Sequence, residues 1–443
     1  MGKGLQPDGV GTYPASADDL AGYRRASDQL GECRAPLLKG SEGKERLYVA
    51  AFDGTGNSMF KDAPANHTNV AYVAKQIDAL KDPAIGFGYV EGPGTQGGLG
   101  GLGDIMTGDS YRARMDEMYV QFVRQADAWL KENPNADIRI AAIGFSRGAE
   151  QAAGFTRLIE ERGIQDPAGM NVVRDRNGFI DRLEFTRPPL REPGTVVQAV
   201  GLFDPVGTGE PRGHDRRLPP SVVSGFQITA EDERRNLFQS TRVLDPGATE
   251  GGRFLNVTVA GAHSDIGGSY ALDGLSIRSG NLMIDYLNAL SDPPFLQKRE
   301  EPSDPSRNVI HRSEDHQFFY RTSVYDKEGV RGRQEELAPP TLCRIDCLDA
   351  RPRNTAMAES LRWRPVEIGP APGAASPANR VEQLLQAAKQ GDAAAIDRLG
   401  RDHLHSEQGQ AWLREGQQRL RELQPALPAV PVAPQPEPAA LAR

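Results

Sequence analysis

The sequence predicts an α/β fold, a mostly parallel sheet flanked by helices, with lid or cap insertions and a helical C-terminal appendage. Three observations carry this. Apolar runs of strand length alternate with helix-period stretches from Leu47 onward, one such run enters a Gly-x-Ser-x-Gly turn at residues 144–148, and the composition changes after about Val366.

The strands are expected at residues 47–52, 85–90, 138–143, 196–203 and 254–259, each a short apolar run of the kind that is covered on both faces. Between them, Val70, Val73, Ile77 and Leu80 share one helical face after Thr68. Tyr111, Met115, Met118, Phe122, Ala126 and Trp129 do the same after Ser110, and a third helix runs through Ala149, Ala153, Leu158 and Ile159. Two insertions interrupt the alternation: a glycine-rich loop at 92–108, and residues 163–193, where Asn177-Gly178 between apolar runs predicts a type I′ hairpin.

Residues 1–44 read as a weakly ordered leader with one short helix around 17–29, and 45–366 as the catalytic domain. A Pro/Ala/Gly linker at 367–380 leads to a helical appendage at 381–423, readable as a solvated tail or as a docking module, and a disordered Pro/Ala tail at 424–443.

The 443 residues carry a formal net charge of -8, so no general attraction to nucleic acid or anionic lipid is expected. The three cysteines, Cys33, Cys343 and Cys347, cannot all pair and have no His partner cluster, so they read as ordinary thiols and no metal site is expected. No window approaches the roughly 18 apolar residues of a membrane span, and the first 22 residues lack the pattern of a secretory signal. The chain is expected to be made in the cytoplasm and, if it acts elsewhere, to leave without a cleaved signal. The Gly-x-Gly-x-x-Gly match at 98–103 lies too far beyond its strand for a dinucleotide site, and Asp175-x-Asn177-Gly178 lacks the later glutamate of a calcium loop. No cofactor is expected.

Strand, sharp turn and helix around Ser146 are the setting a nucleophile elbow needs. Gly144 and Gly148 spare the turn Cβ collisions, and the Arg147 N–H sits where an oxyanion would form. A serine hydroxyl needs a base. Of seven histidines, His263 alone follows a strand directly, at the carboxyl end of 254–259; the other six, His311 among them, read as solvent-exposed by default. Asp204, ending the strand 196–203, is the expected carboxylate, giving the chain order Ser146, Asp204, His263 of α/β-hydrolases. Asp265 competes by proximity and is assigned instead to a supporting hydrogen bond or a turn. The small residues of Phe52-Asp53-Gly54-Thr55-Gly56-Asn57 make Asp53, Gly54 and Thr55 the candidates for a second oxyanion donor. A phosphatase reading of Asp53 fails because Thr55 stands where a second Asp would be required.

Phe52–Asn57, Gly144-Phe-Ser-Arg-Gly-Ala149, Gly201-Leu-Phe-Asp-Pro-Val-Gly207 and His263-Ser-Asp-Ile-Gly-Gly268 together resemble the bacterial type VI secretion lipase effectors with a Gly-x-Ser-x-Gly core, over roughly residues 47–290. The resemblance implies a phospholipase A with its triad on Ser146, Asp204 and His263, cleaving acyl esters of membrane phospholipids in rival bacteria. It implies a secretion-machine adaptor and a cognate immunity protein as partners, and injection into the target-cell periplasm. A cytoplasmic esterase or thioesterase acting on a soluble acyl substrate, and a non-catalytic binding module on a hydrolase scaffold, are the alternatives.

Overall fold

In the computed structural model, described residues are 7–41, 43–95, 110–302, 304–316, 331–342 and 354–370, with positions 388, 396 and 400. Internal contacts divide the chain into two units, Met1–Ala374 and Ala375–Arg443. The expected glycine-rich loop beyond residue 95, Cys343, Cys347, and nearly all of the expected linker, appendage and tail lie outside the described residues.

The first unit opens with β1 (Thr12–Pro14), α1 (Ala17–Gly31) and β2 (Arg34–Pro36), followed by β3 (Glu45–Phe52), α2 (Asn69–Leu80), β4 (Ile85–Val90), α3 (Tyr111–Glu132), β5 (Asp137–Phe145) and α4 (Arg147–Arg162). The hairpin β6 (Met170–Arg174) and β7 (Ile180–Phe185) comes next, then β8 (Gln198–Phe203), β9 (Val222–Ala230), β10 (Ser240–Thr241), β11 (Gly247–Thr249) and β12 (Phe254–Val259). The unit closes with α5 (His263–Gly267), α6 (Gly274–Ala289), β13 (Val309–His311), β14 (Arg333–Gln334), α7 (Thr355–Glu359) and β15 (Trp363–Pro365).

Seven strands form the central sheet in the order β11, β12, β9, β8, β5, β3, β4. All pairs are parallel except β11 with β12. Side chains alternate between two cores. Val49, Ala51, Ala141 and Ile143 face α1, α2 and α6, while Tyr48, Ala50, Phe52, Ile140 and Ala142 face α3 and α4. Covering on both faces explains why these strands read as unbroken apolar runs.

Register decides where function collects. Phe52 lies beside Gly144, Phe145 beside Phe203, Phe203 beside Ile228, and Ala230 beside Val259. The carboxyl ends of β3, β5, β8, β9 and β12 are therefore level, and their loops leave from one rim of the sheet.

Two expectations are corrected, and one strand was not expected. The leader is ordered over its described part: a capping box between Ser16 and Asp19 starts α1, which buries Tyr23, Ala26 and Leu30 in the core, and β1 and β2 pair with β13 and β15. The expected helix is present, and its low apolar content concealed how firmly a stripe of three buried side chains anchors it. The insertion hairpin does not turn by type I′, which requires positive φ at both central residues. Only Gly178 has it (φ 86°), and the Asp175 carboxylate accepts the N–H groups of Asn177 and Phe179, making a three-residue turn with a left-handed glycine. Strand β9 was missed because Ser224, Gly225 and Gln227 interrupt its apolar pattern. These side chains are buried yet satisfied: Ser224 donates to the Arg253 carbonyl, and Gln227 bonds Thr241 O and Leu244 N.

Candidate active site

Ser146 stands between β5 and α4 with φ 60° and ψ -127°, a conformation few L-residues adopt and one that is tolerated only where surroundings impose it. Those surroundings are specific. The Ser146 N–H donates to Phe203 O at 3.0 Å, and its own carbonyl accepts from Ala149 N at 3.0 Å. A Cβ on Gly144 would fall 2.2 Å from Gly148 O, and one on Gly148 2.4 Å from Phe52 O, so both positions exclude any side chain. Ser146 is 3 % exposed, so the turn is nearly covered rather than standing in open solvent.

From the neighbouring strand end, Asp204 sends its carboxylate to His263. His263 Nδ1 lies 2.5 Å from Asp204 Oδ2, and both residues are buried. The imidazole packs on Phe145, ring centroids 4.6 Å apart, and meets the edge of Phe238 at 5.1 Å. Nε2 has no hydrogen-bond partner among the described residues. Burial is the main force on His263 and holds its pKa below the ordinary imidazole value, against the opposing pull of Asp204. Burial works against ionisation of Asp204 as well. The Arg331 guanidinium and His263 nonetheless hold the carboxyl below the usual carboxylate range.

Two further groups close around this pair, and sequence reading missed both. Arg331 donates to Asp204 Oδ1 and Oδ2 at 2.6 and 2.9 Å. Glu233 accepts the His263 backbone N–H at 3.2 Å, bonds Arg235, and accepts the Ser313 hydroxyl at 2.9 Å. Nothing near Arg331 signals a partner 127 positions away. Glu233 sits in the run Glu231-Asp-Glu-Arg-Arg235, which reads as a solvated charged face.

The expected oxyanion loop is narrowed. The Asp53 N–H is bound to Val90 O at 3.0 Å and the Gly54 N–H to Asp53 Oδ1 at 2.7 Å, so these two donors are committed and the expectation for them is corrected. Of the three, Thr55 keeps an N–H with no partner among the described residues, and its hydroxyl is buried and unpartnered. Asp53 acts instead as an internal brace: it accepts from the Thr68 hydroxyl at 2.7 Å and from Tyr89 OH. Burial raises its carboxyl to about 6.

Asp265 does not approach the ring of His263. It accepts from Ala262 N at 2.9 Å and His311 N at 2.9 Å, and meets His311 Nδ1 at 2.6 Å. This also corrects the expectation that His311 is exposed: it is 1 % exposed, with Asp8 3.1 Å from its other nitrogen. Among the described residues no group of three His, Cys, Asp or Glu side chains is arranged to hold a metal ion. No described helix is long and apolar enough to cross a membrane.

Residues 46–180, from β3 to the start of β7, match the model of a family described as T6SS, Phospholipase effector Tle1-like, catalytic domain. No curated protein matches the chain. Among solved structures, an uncharacterized protein from Pseudomonas aeruginosa aligns at 16 % identity and a TM-score of 0.39, over 96 % of this chain and 68 % of that one. The Tle1 effector bound to the VgrG spike of the type 6 secretion system aligns at 21 % identity and 0.31, over 53 % of this chain and 52 % of that one, so the match spans about half its length. A cutinase-like protein from Cryptococcus sp. aligns at 12 % identity and 0.21, over 56 % and 95 %.

Proposed function

We propose that the chain is a serine-dependent phospholipase A, with Ser146, His263 and Asp204 as its triad, a reading supported by the match of residues 46–180 to the Tle1-like phospholipase effector catalytic-domain model. The observation that carries this reading is the pairing of a strained serine turn with a buried His263–Asp204 couple at the same sheet rim.

In the proposed reaction the Ser146 hydroxyl attacks the ester carbonyl carbon while His263 Nε2 takes its proton, and Asp204 holds Nδ1–H and steadies the imidazolium. The negative oxygen is received by the N–H groups of Arg147, at the first turn of α4, and Thr55. Collapse expels the lysophospholipid alcohol, which takes the proton from His263. Water, deprotonated by the same imidazole, then frees the fatty acid from Ser146. A family of secretion effectors implies a membrane phospholipid substrate in a rival cell, delivery by secretion-machine partners into its periplasm, and an immunity protein in the producer. Residues 381–423 are proposed as an appendage distinct from residues 45–366.

Product analysis on vesicles of phosphatidylethanolamine and phosphatidylglycerol tests the reading. The wild type is expected to release fatty acid and lysophospholipid, and Ser146→Ala, folded as judged by circular dichroism, to release neither. Near-full activity in Ser146→Ala would overturn the serine assignment. Turnover of short soluble esters but not vesicles would identify a soluble-ester hydrolase, and no fluorophosphonate labelling of Ser146 a non-catalytic scaffold.

A further inference from the structure

We propose that Arg331 is a positioning residue for this reaction, its guanidinium fork locking the Asp204 carboxylate against His263 and offsetting the charge that Asp204 brings to the pair. The proposal rests on the triad reading above. Arg331 bonds both carboxylate oxygens, at 2.6 and 2.9 Å, sharing Oδ2 with His263, and is 8 % exposed. The same guanidinium donates to Ala230 O at 2.8 Å, and to Phe238 O at 3.0 and 2.8 Å through two nitrogens. Phe238 is the ring that meets the edge of His263. One side chain therefore fixes both the carboxylate behind the imidazole and the aromatic wall beside it, a task suited to a planar fork and not to a point charge. Asp204 needs such a hold, since it sits at φ 41° at the end of β8.

The electrostatic consequence is distinct from the mechanical one. A carboxylate next to an imidazole favours the protonated ring, but a fixed cation on that carboxylate takes back part of the effect. Among the described residues, Glu233 also acts on the ring, favouring the protonated form, and Arg235 opposes it and is itself paired with Glu233 at 2.9 Å. Arg331 thus helps keep His263 neutral, and so able to accept a proton, at lower pH. A residue serving only the fold would have no such effect.

The test uses the full-length chain and p-nitrophenyl butyrate, with active sites counted by fluorophosphonate titration. Arg331→Met is expected to lower kcat about a hundredfold per titrated site. It should also move the acidic limb of the kcat/KM profile up by about one pH unit, because the opposing cation is gone. Arg331→Lys, which keeps charge but not the fork, is expected to leave the limb in place and lower kcat about tenfold. Wild-type kcat with an unmoved limb in Arg331→Met overturns the proposal. If that variant does not fold, wild-type kcat in Arg331→Lys overturns it and a reduced kcat with the wild-type limb supports it. An unlabelled Ser146, or an active Ser146→Ala, brings down the triad reading and this inference with it. A labelled, Ser146-dependent enzyme indifferent to Arg331 brings down the inference alone.

Discussion

Two buried imidazole–carboxylate couples stand in this molecule, and they are built to opposite ends. His263 meets Asp204 at 2.5 Å and His311 meets Asp265 at 2.6 Å, so the first contact of each is nearly the same. The second nitrogens differ. That of His311 is closed by Asp8 at 3.1 Å, while that of His263 has no hydrogen-bond partner among the described residues. Burial alone would depress His311, but Asp265 and Asp8 outweigh it and raise its pKa above the ordinary value. At His263 burial prevails and the pKa falls. Two carboxylates favour the protonated imidazole; one carboxylate, already shared with an arginine, leaves burial to favour the neutral ring.

The same substitution in the two couples separates these roles most sharply. Asp204→Asn is expected to cut kcat by about 10⁴, because the ring loses the acceptor that sets its tautomer. Asp265→Asn should instead cost stability, on the order of 3–5 kcal/mol by urea unfolding for a broken buried pair, with kcat within a few-fold of wild type. A kcat collapse in Asp265→Asn alone would reverse the assignment of the two couples.

The next effect is on pH. His311 has a folded pKa raised above its unfolded value of about 6.5, so its contribution to stability is fully present below that pH and is lost as pH rises through the folded value. Urea midpoints should therefore fall as pH rises from about 6.5 through the folded value, and His311→Gln should flatten the trend. Activity should behave oppositely at low pH: with His263 depressed, kcat/KM is expected to persist below about pH 6.5. The smallest effect belongs to Tyr270, stacked on His311 at 3.9 Å with its hydroxyl 3.0 Å from His316 Nε2. Tyr270→Phe should lose about 1 kcal/mol of unfolding free energy and no activity.

Legibility in the sequence followed the physics of each region. The parallel sheet could be read because strands covered on both faces leave unbroken apolar runs, and 85–90 and 254–259 match their strands to the residue. Ser146, Asp204 and His263 could be singled out as candidates because each follows such a run. Strand β9 was not, since buried Ser224 and Gln227 look like loop residues until their partners across the sheet are known. Arg331 and Glu233 were hidden for the same reason: a buried, paired charge is identical in sequence to a solvated one. His311 was misread because its two carboxylates come from positions 8 and 265, distances no local pattern spans.

The sheet's outermost ladder has a consequence of its own. Strand β11 runs opposite to the other six strands, spans only Gly247–Thr249, and is followed by left-handed glycines at 251 and 252. A foreign strand seeking to extend the sheet on this side would find a short run of donors and acceptors, cut off by a bend. Lengthening that stub into a straight apolar strand should turn a chain that closes its own edge into one that recruits copies of itself.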